Sequence, residues 1–158
     1  MPETTIDSEL YENMTLLCVD DERIILRTLK RLFHNKAYNV LLASSAKDAL
    51  DIMDTTNVDV IVSDMRMPEM DGATLLEKVA LSHPDTYRIV LSGYADFETT
   101  VAAINLGKID KFVNKPWDND SLIGSVEEGL HLIQLKTENK ILKAKIAKQN
   151  KLLKSANN

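Results

Sequence analysis

Val58-Asp59-Val60-Ile61-Val62-Ser63-Asp64-Met65-Arg66-Met67-Pro68-Glu69-Met70-Asp71-Gly72 is the stretch on which the fold turns. Its first six residues are nearly continuous in β-favouring apolar side chains, as expected of a strand covered on both faces. The run stops on an acidic residue, Asp64, and the Asp71-Gly72 pair then opens a helical pattern through Leu75, Leu76, Val79 and Ala80. A buried strand followed directly by a helix is one unit of an α/β sheet. Working outward, the same alternation recurs on both sides. Strands are expected at Thr15–Val19, Asn39–Ala43, Val58–Ser63, Tyr87–Leu91 and Lys111–Val113. Helical spacing links them through Ile25, Leu29 and Leu32-Phe33, through Ala46, Ala49-Leu50 and Met53, and through Val101, Ile104 and Leu106. Ser45, with Asp48 three residues on, suits the start of the second helix, and Gly107 suits the end of the fourth. Five strands alternating with helices imply an α/β doubly wound parallel sheet.

In such a sheet, ligands bind outside the carboxyl ends of the strands. Here Asp20 and Asp21 follow the first run, Asp64 ends the third, Ser92 follows the fourth and Lys115-Pro116 follows the fifth; the second run ends without a charge. Three carboxylates brought to one place repel each other without a cation, so the set reads as a Mg²⁺ site. A carboxylate nucleophile (Asp64), an ammonium (Lys115) and a hydroxyl (Ser92) suit a phosphoryl group. Each feature alone has a plainer reading, since an Asp pair often caps a helix and a Lys-Pro or a Ser often marks a turn. Their agreement in order and strand-end placement carries the chemical reading.

At 158 residues and 44% hydrophobic, the chain holds one ordinary domain and about thirty residues more. No apolar run is long enough for a membrane span, and the polar, acidic start lacks the form of a signal peptide. Cys18 is alone, so no intramolecular disulfide is available, and a buried inert thiol is expected. A cytoplasmic protein is the expectation. The net charge of −5 divides unevenly. Residues 131–158 contain seven Lys and one Glu, a local +6, against −11 elsewhere. The fifth helix should start near Asp118–Ser121 and run unbroken to about Lys154. From Leu132 on, Leu132, Leu135, Asn139, Leu142, Ile146, Gln149 and Leu153 follow the three-four spacing of a coiled-coil seam. Asn139 falls at an a position, where Asn favours two-stranded parallel pairing, and Glu138 at g faces Lys143 at e of a partner helix. The expected organisation is a flexible segment over 1–13, a domain over 14–131, and a coiled-coil helix over 132–158 that makes a homodimer. The plainer reading of the last part is a solvated Lys-rich tail.

The motif pieces Leu17-Cys18-Val19-Asp20-Asp21-Glu22, Asp64 to Gly72, Leu91-Ser92-Gly93-Tyr94 and Phe112-Val113-Asn114-Lys115-Pro116-Trp117 resemble the receiver domain of two-component response regulators over roughly residues 14–131. The resemblance implies a flavodoxin-like (CheY-like) sheet of order 2-1-3-4-5. It implies that Asp64 accepts phosphate from a histidine kinase or phosphotransfer protein. Asp20, Asp21, Asp64 and the backbone carbonyl of Arg66 would hold Mg²⁺, and the Arg66 side chain would lie within reach of the phosphoryl site. Ser92 would be the switch hydroxyl, Phe112 the switch aromatic, and Pro116 would follow Lys115 in the cis form. Ser at 92 and Phe at 112 replace the commoner Thr and Tyr, which keeps the hydroxyl and a ring that can rotate. The output would pass through the coil to an output domain or partner outside this chain. The motif versions at Gly93–Asp96 and Lys115–Trp117 resemble receivers of cyclic-dinucleotide (HD-GYP or GGDEF-type) regulators. A stand-alone receiver working by protein contact is the alternative. An aspartate-nucleophile phosphatase would need a second Asp two residues past the nucleophile, where Arg66 stands. A flavodoxin-like flavin site would want a neutral hydroxyl-rich loop instead of three carboxylates. With no Arg and no aromatic after Trp117, nucleic acid is not an expected partner, and neither is a membrane.

Overall fold

The computed structural model describes residues 11–106 and 108–156. In chain order it contains β1 (Thr15–Val19), α1 (Arg23–Leu32), β2 (Asn39–Ala43), α2 (Ala46–Thr55), β3 (Val60–Asp64), α3 (Gly72–Ser82), β4 (Tyr87–Ser92), a 3₁₀ turn (Tyr94–Asp96), α4 (Phe97–Asn105), β5 (Lys111–Asn114) and α5 (Asn119–Ala156). The five strands are all parallel, in the order β2-β1-β3-β4-β5, which is the expected order. Every residue of β1 and β3 is buried, whereas β2 and β5, at the sheet edges, keep exposed positions. Centrality therefore tracks apolar continuity, the feature that singled out β3 in the sequence.

β3 differs from its expected bounds in an informative way. It begins at Val60 and includes Asp64 as its last residue. Asp59 precedes it, buried, with its carboxylate accepting from the Thr15 N–H at 2.8 Å. That bond fixes the chain at the opposite end of the strand from Asp64. β4 likewise runs one residue further, to Ser92, and β5 to Asn114. The reactive-type side chains thus sit on, or immediately after, the last hydrogen-bonded residues of the sheet.

Two apolar layers flank the sheet. One joins Leu17, Val19 and Ile61 to α2, α3 and α4 through Met53, Leu75, Leu76 and Ala103. The other joins Leu16, Val62 and Ile89 to α1 and α5 through Leu29, Phe33, Leu122, Val126 and Leu130. Ser45 caps α2, its hydroxyl accepting from the Asp48 N–H at 3.1 Å, and Asp71 caps α3 through the Thr74 N–H at 2.8 Å. Gly107, expected to end α4, lies outside the described residues, as do residues 1–10 of the N-terminal segment and Asn157–Asn158.

α5 is a single helix of 38 residues. Asp118 caps it, accepting from the Ser121 N–H and hydroxyl, both at 3.0 Å. Its first part is held from both sides. Glu127 accepts from Tyr38 Oη and pairs with Lys36, each at 3.2 Å, and Glu128 pairs with Lys111 at 2.9 Å. Its last buried residue is Ile133, and from Leu135 to Ala156 every position is exposed. Lys140 Nζ meets Asp85 at 3.1 Å where the helix passes the foot of the sheet.

Candidate functional site

The carboxyl ends of β1, β3, β4 and β5 bring together the residues expected there. Asp20, Asp21 and Asp64 each offer a carboxylate oxygen within 4.8 Å of the others, and among the described residues this is the acidic or metal-ligating cluster of that compactness. Asp64 closes β3 and is buried, while Asp20 is 0% exposed and Asp21 is open to solvent. Asp20 Oδ1 accepts from the Glu22 N–H at 2.9 Å, which turns the chain from β1 into α1. Its other oxygen, Oδ2, is buried without a hydrogen-bond partner. Burial, together with the Asp64 and Asp21 charges, pushes the Asp20 carboxyl above its ordinary range, against the opposing pull of the Glu22 amide and Lys115.

Lys115 enters from the end of β5. Its Nζ stands 2.6 Å from Asp64 Oδ1 and 3.7 Å from Asp20 Oδ2. Burial alone would lower the ammonium, but the hydrogen bond to Asp64 and the charges of Asp64, Asp20 and Glu22 outweigh it and raise it. Lys115 therefore stays a cation under any ordinary condition. The Lys115–Pro116 bond is cis, as expected from the resemblance.

Ser92 ends β4 and is buried; Phe112, on the edge strand, is 38% exposed. Between them lies a cavity of about 180 Å³, lined also by Thr100 and Val101 of α4. The ring is thus on the outside of a space bordered by the Ser92 segment. The Thr100 hydroxyl, buried and without a partner, was not among the sequence expectations.

Arg66 stands two residues beyond Asp64, and its guanidinium is spent on a different group. Arg66 Nε donates to Asp96 Oδ1 at 2.7 Å, across from the β3–α3 loop to the 3₁₀ turn after β4. Asp96 was not singled out from the sequence, because nothing local ties it to Arg66. Gly72 was read only as a helix opener. It also packs under the site, for a Cβ there would collide with the carbonyl oxygen of Asp64.

The seam residues lie apart from this cluster. Leu132, Leu135, Asn139, Leu142, Ile146, Gln149 and Leu153 are all exposed along α5.

Comparison with known proteins agrees with this geometry. Residues 16–127 match the model of the response regulator receiver domain. The hydrogenase transcriptional regulatory protein HoxA of Bradyrhizobium diazoefficiens is 34% identical over 124 residues, 78% of this chain but 25% of that protein. The chain therefore spans about a quarter of the length of such curated relatives. An uncharacterized protein from Neptuniibacter caesariensis superposes with a TM-score of 0.79 at 47% identity, covering 82% of this chain and 96% of that one. The signal receiver domain of an HD domain-containing protein from Pseudomonas fluorescens Pf-5 gives 0.75 at 32% identity, covering 80% and 93%. A 2-1-3-4-5 sheet, an acidic cluster closed by a lysine at its strand ends, and a family match over most of the chain all lead to one assignment: this protein belongs to the response regulator receiver domain family.

Proposed function

We propose that this chain is the phosphoacceptor part of a two-component system, with Asp64 taking a phosphoryl group from a histidine kinase or phosphotransfer protein. The observation that carries the reading is the contact of Lys115 Nζ with Asp64 Oδ1, 2.6 Å, inside a cluster of two further carboxylates. In the transfer, an Asp64 oxygen attacks phosphorus and the bond from phosphorus to the donor nitrogen breaks, its electron pair returning to the imidazole. Asp64 sits on the last residue of a buried strand, so its position is set by the sheet. Lys115 exchanges its contact with the free carboxylate for one with a phosphoryl oxygen, and Ser92 donates its hydroxyl to another.

The donor set fits Mg²⁺. Three carboxylates of one cluster, with an Asp20 oxygen buried and lacking any hydrogen-bond partner, are what an oxygen-seeking divalent ion would satisfy. Asp20, Asp21, Asp64 and the Arg66 carbonyl would hold it. When bound it neutralises charge on the phosphoryl oxygens. The chemistry is confined to gaining and losing this phosphoryl group, and the role is regulatory instead of enzymatic.

The readout follows from the exposed ring and the long helix. Ser92 moving toward the phosphoryl group opens room that Phe112 enters, which alters the face formed by α4, β5 and α5. The seam from Leu132 to Leu153 continues from that face and pairs with the same seam of a second copy, making a cytoplasmic homodimer that signals to an output domain or partner protein. Exposed Leu132, Leu135, Leu142, Ile146 and Leu153 support the pairing, because a helix with such a stripe buries it against a partner. No helix among the described residues is long and apolar enough to cross a membrane.

The test is labelling with a small phosphodonor in Mg²⁺, read by intact mass. Wild-type protein should gain one phosphoryl group per chain, and Asp64→Asn none. Full labelling of the Asn variant would overturn the assignment.

A further inference from the structure

Asp96 precedes α4 at the position where an acidic side chain ordinarily caps a helix. Yet its carboxylate makes no cap hydrogen bond to α4. It accepts instead from Arg66 Nε at 2.7 Å, with Asp96 13% exposed and Arg66 70% exposed. The contact joins two segments that matter to the site. Arg66 lies two residues after the phosphoacceptor, and Asp96 closes the turn that begins two residues after Ser92. Arg66 is also near enough to Asp64 to feel its charge. A mostly exposed guanidinium between two acidic groups is free to exchange partners, and its pair with Asp96 is of the kind worth little on its own. A phosphoryl group on Asp64 adds charge and acceptor oxygens on one side of that balance only.

We propose that Asp96 is a two-position residue that couples the charge of Asp64 to α4: it holds Arg66 while Asp64 is unmodified, and caps α4 when Arg66 turns to the phosphoryl group. In the first position the ion pair ties the Tyr94–Asp96 turn to the β3–α3 loop and resists the displacement of Ser92. In the second, the freed carboxylate accepts from the N–H groups of Glu98 or Thr99 and orders the start of α4. The Arg66 guanidinium then serves as a second cationic contact to the phosphoryl oxygens beside Lys115. This rests on the phosphoacceptor reading and deepens it, by naming what regulates entry into the switched state.

The experiment is titration of the full chain with beryllofluoride in Mg²⁺, followed by the fluorescence of the single tryptophan, Trp117, two residues past Lys115. Asn keeps the ability to cap α4 but cannot hold Arg66 by charge. Asp96→Asn should therefore bind beryllofluoride about two- to fivefold more tightly than wild type, the size a surface ion pair allows. Asp96→Ala loses the cap as well and should bind more weakly than Asp96→Asn. In an Arg66→Gln background the Asp96→Asn gain should vanish, which a merely structural role for Asp96 would not produce. No gain in Asp96→Asn, or the same gain without Arg66, would overturn the proposal. Wild-type protein that shows no Mg²⁺-dependent response at all would overturn the phosphoacceptor reading itself, a result distinct from a response that ignores Asp96.

Discussion

Asp20 shows most clearly how a single residue carries both cost and function. Its carboxylate is fully buried, lies beside Asp64 and Asp21, and leaves one oxygen without a hydrogen bond. Burial first, and its acidic neighbours next, hold its carboxyl above the ordinary range. The folded protein therefore binds that proton more tightly than the unfolded chain, so stability is lost as pH rises from the ordinary carboxylate range through the shifted one. Asp20→Asn, which cannot ionise yet still accepts from the Glu22 amide, should melt about 2–4 °C higher than wild type at neutral pH without metal, as ~1 kcal/mol does for a chain of this size. The gain should disappear in acid, where Asp20 is itself neutral. Added Mg²⁺ should raise wild-type melting and leave the variant nearly unmoved; calorimetry across pH, with and without Mg²⁺, checks all three. Cys18 is the converse case, a group whose burial removes it from chemistry. Burial pushes its thiol up to about 12, so labelling by a thiol reagent at neutral pH should proceed only as fast as the protein unfolds. Labelling at the rate of a free thiol would show that β1 is open to solvent.

At the scale of elements, the sequence was legible wherever local chemistry and tertiary role coincide. Apolar continuity marked β3 because a central strand has no polar face, and Ser45 marked the start of α2 because a cap is made within three residues. The boundary of β3 was not legible: Val58 and Asp59 read as strand, but Asp59 spends its carboxylate on the Thr15 amide, a partner 44 residues away. The pairing of Arg66 with Asp96 escaped for the same reason, its members being 30 residues apart and joined only through the fold. Gly72 was read correctly as opening α3, while its approach to the Asp64 carbonyl could be seen only once β3 and α3 were placed. The strand-end set of Asp20, Asp21, Asp64, Ser92 and Lys115 was legible because parallel topology sends every strand end to one side. On α5, the stripe facing the sheet ends at Ile133 and the apolar positions beyond it are exposed, so under the proposed pairing one helix would serve two packing partners in succession. Asn139 at the seam's a position should set register at some expense of stability. Asn139→Leu should tighten association and loosen register, seen as a lower dissociation constant and mixed oligomers in sedimentation. An unchanged distribution would count against the seam.

At the scale of the whole molecule, charge and packing divide the labour. An acidic body gathers carboxylates at one end of its sheet, while a Lys-rich helix leaves from the other end. α5 joins the two, held to the body by Glu127 and Glu128 and touching Asp85 at the foot through Lys140. In the proposed switch, a change at the α4–β5–α5 face would reach the stripe from Leu132 to Leu153 through one continuous helix, with no loop between to absorb it. Sedimentation velocity of the full chain in Mg²⁺, with and without beryllofluoride, tests that transmission most directly. Beryllofluoride should shift the chain toward dimer, and the shift should be lost when Leu135 and Leu142 are both changed to Asp. The same distribution in both states, or a monomer with beryllofluoride demonstrably bound, would contradict it.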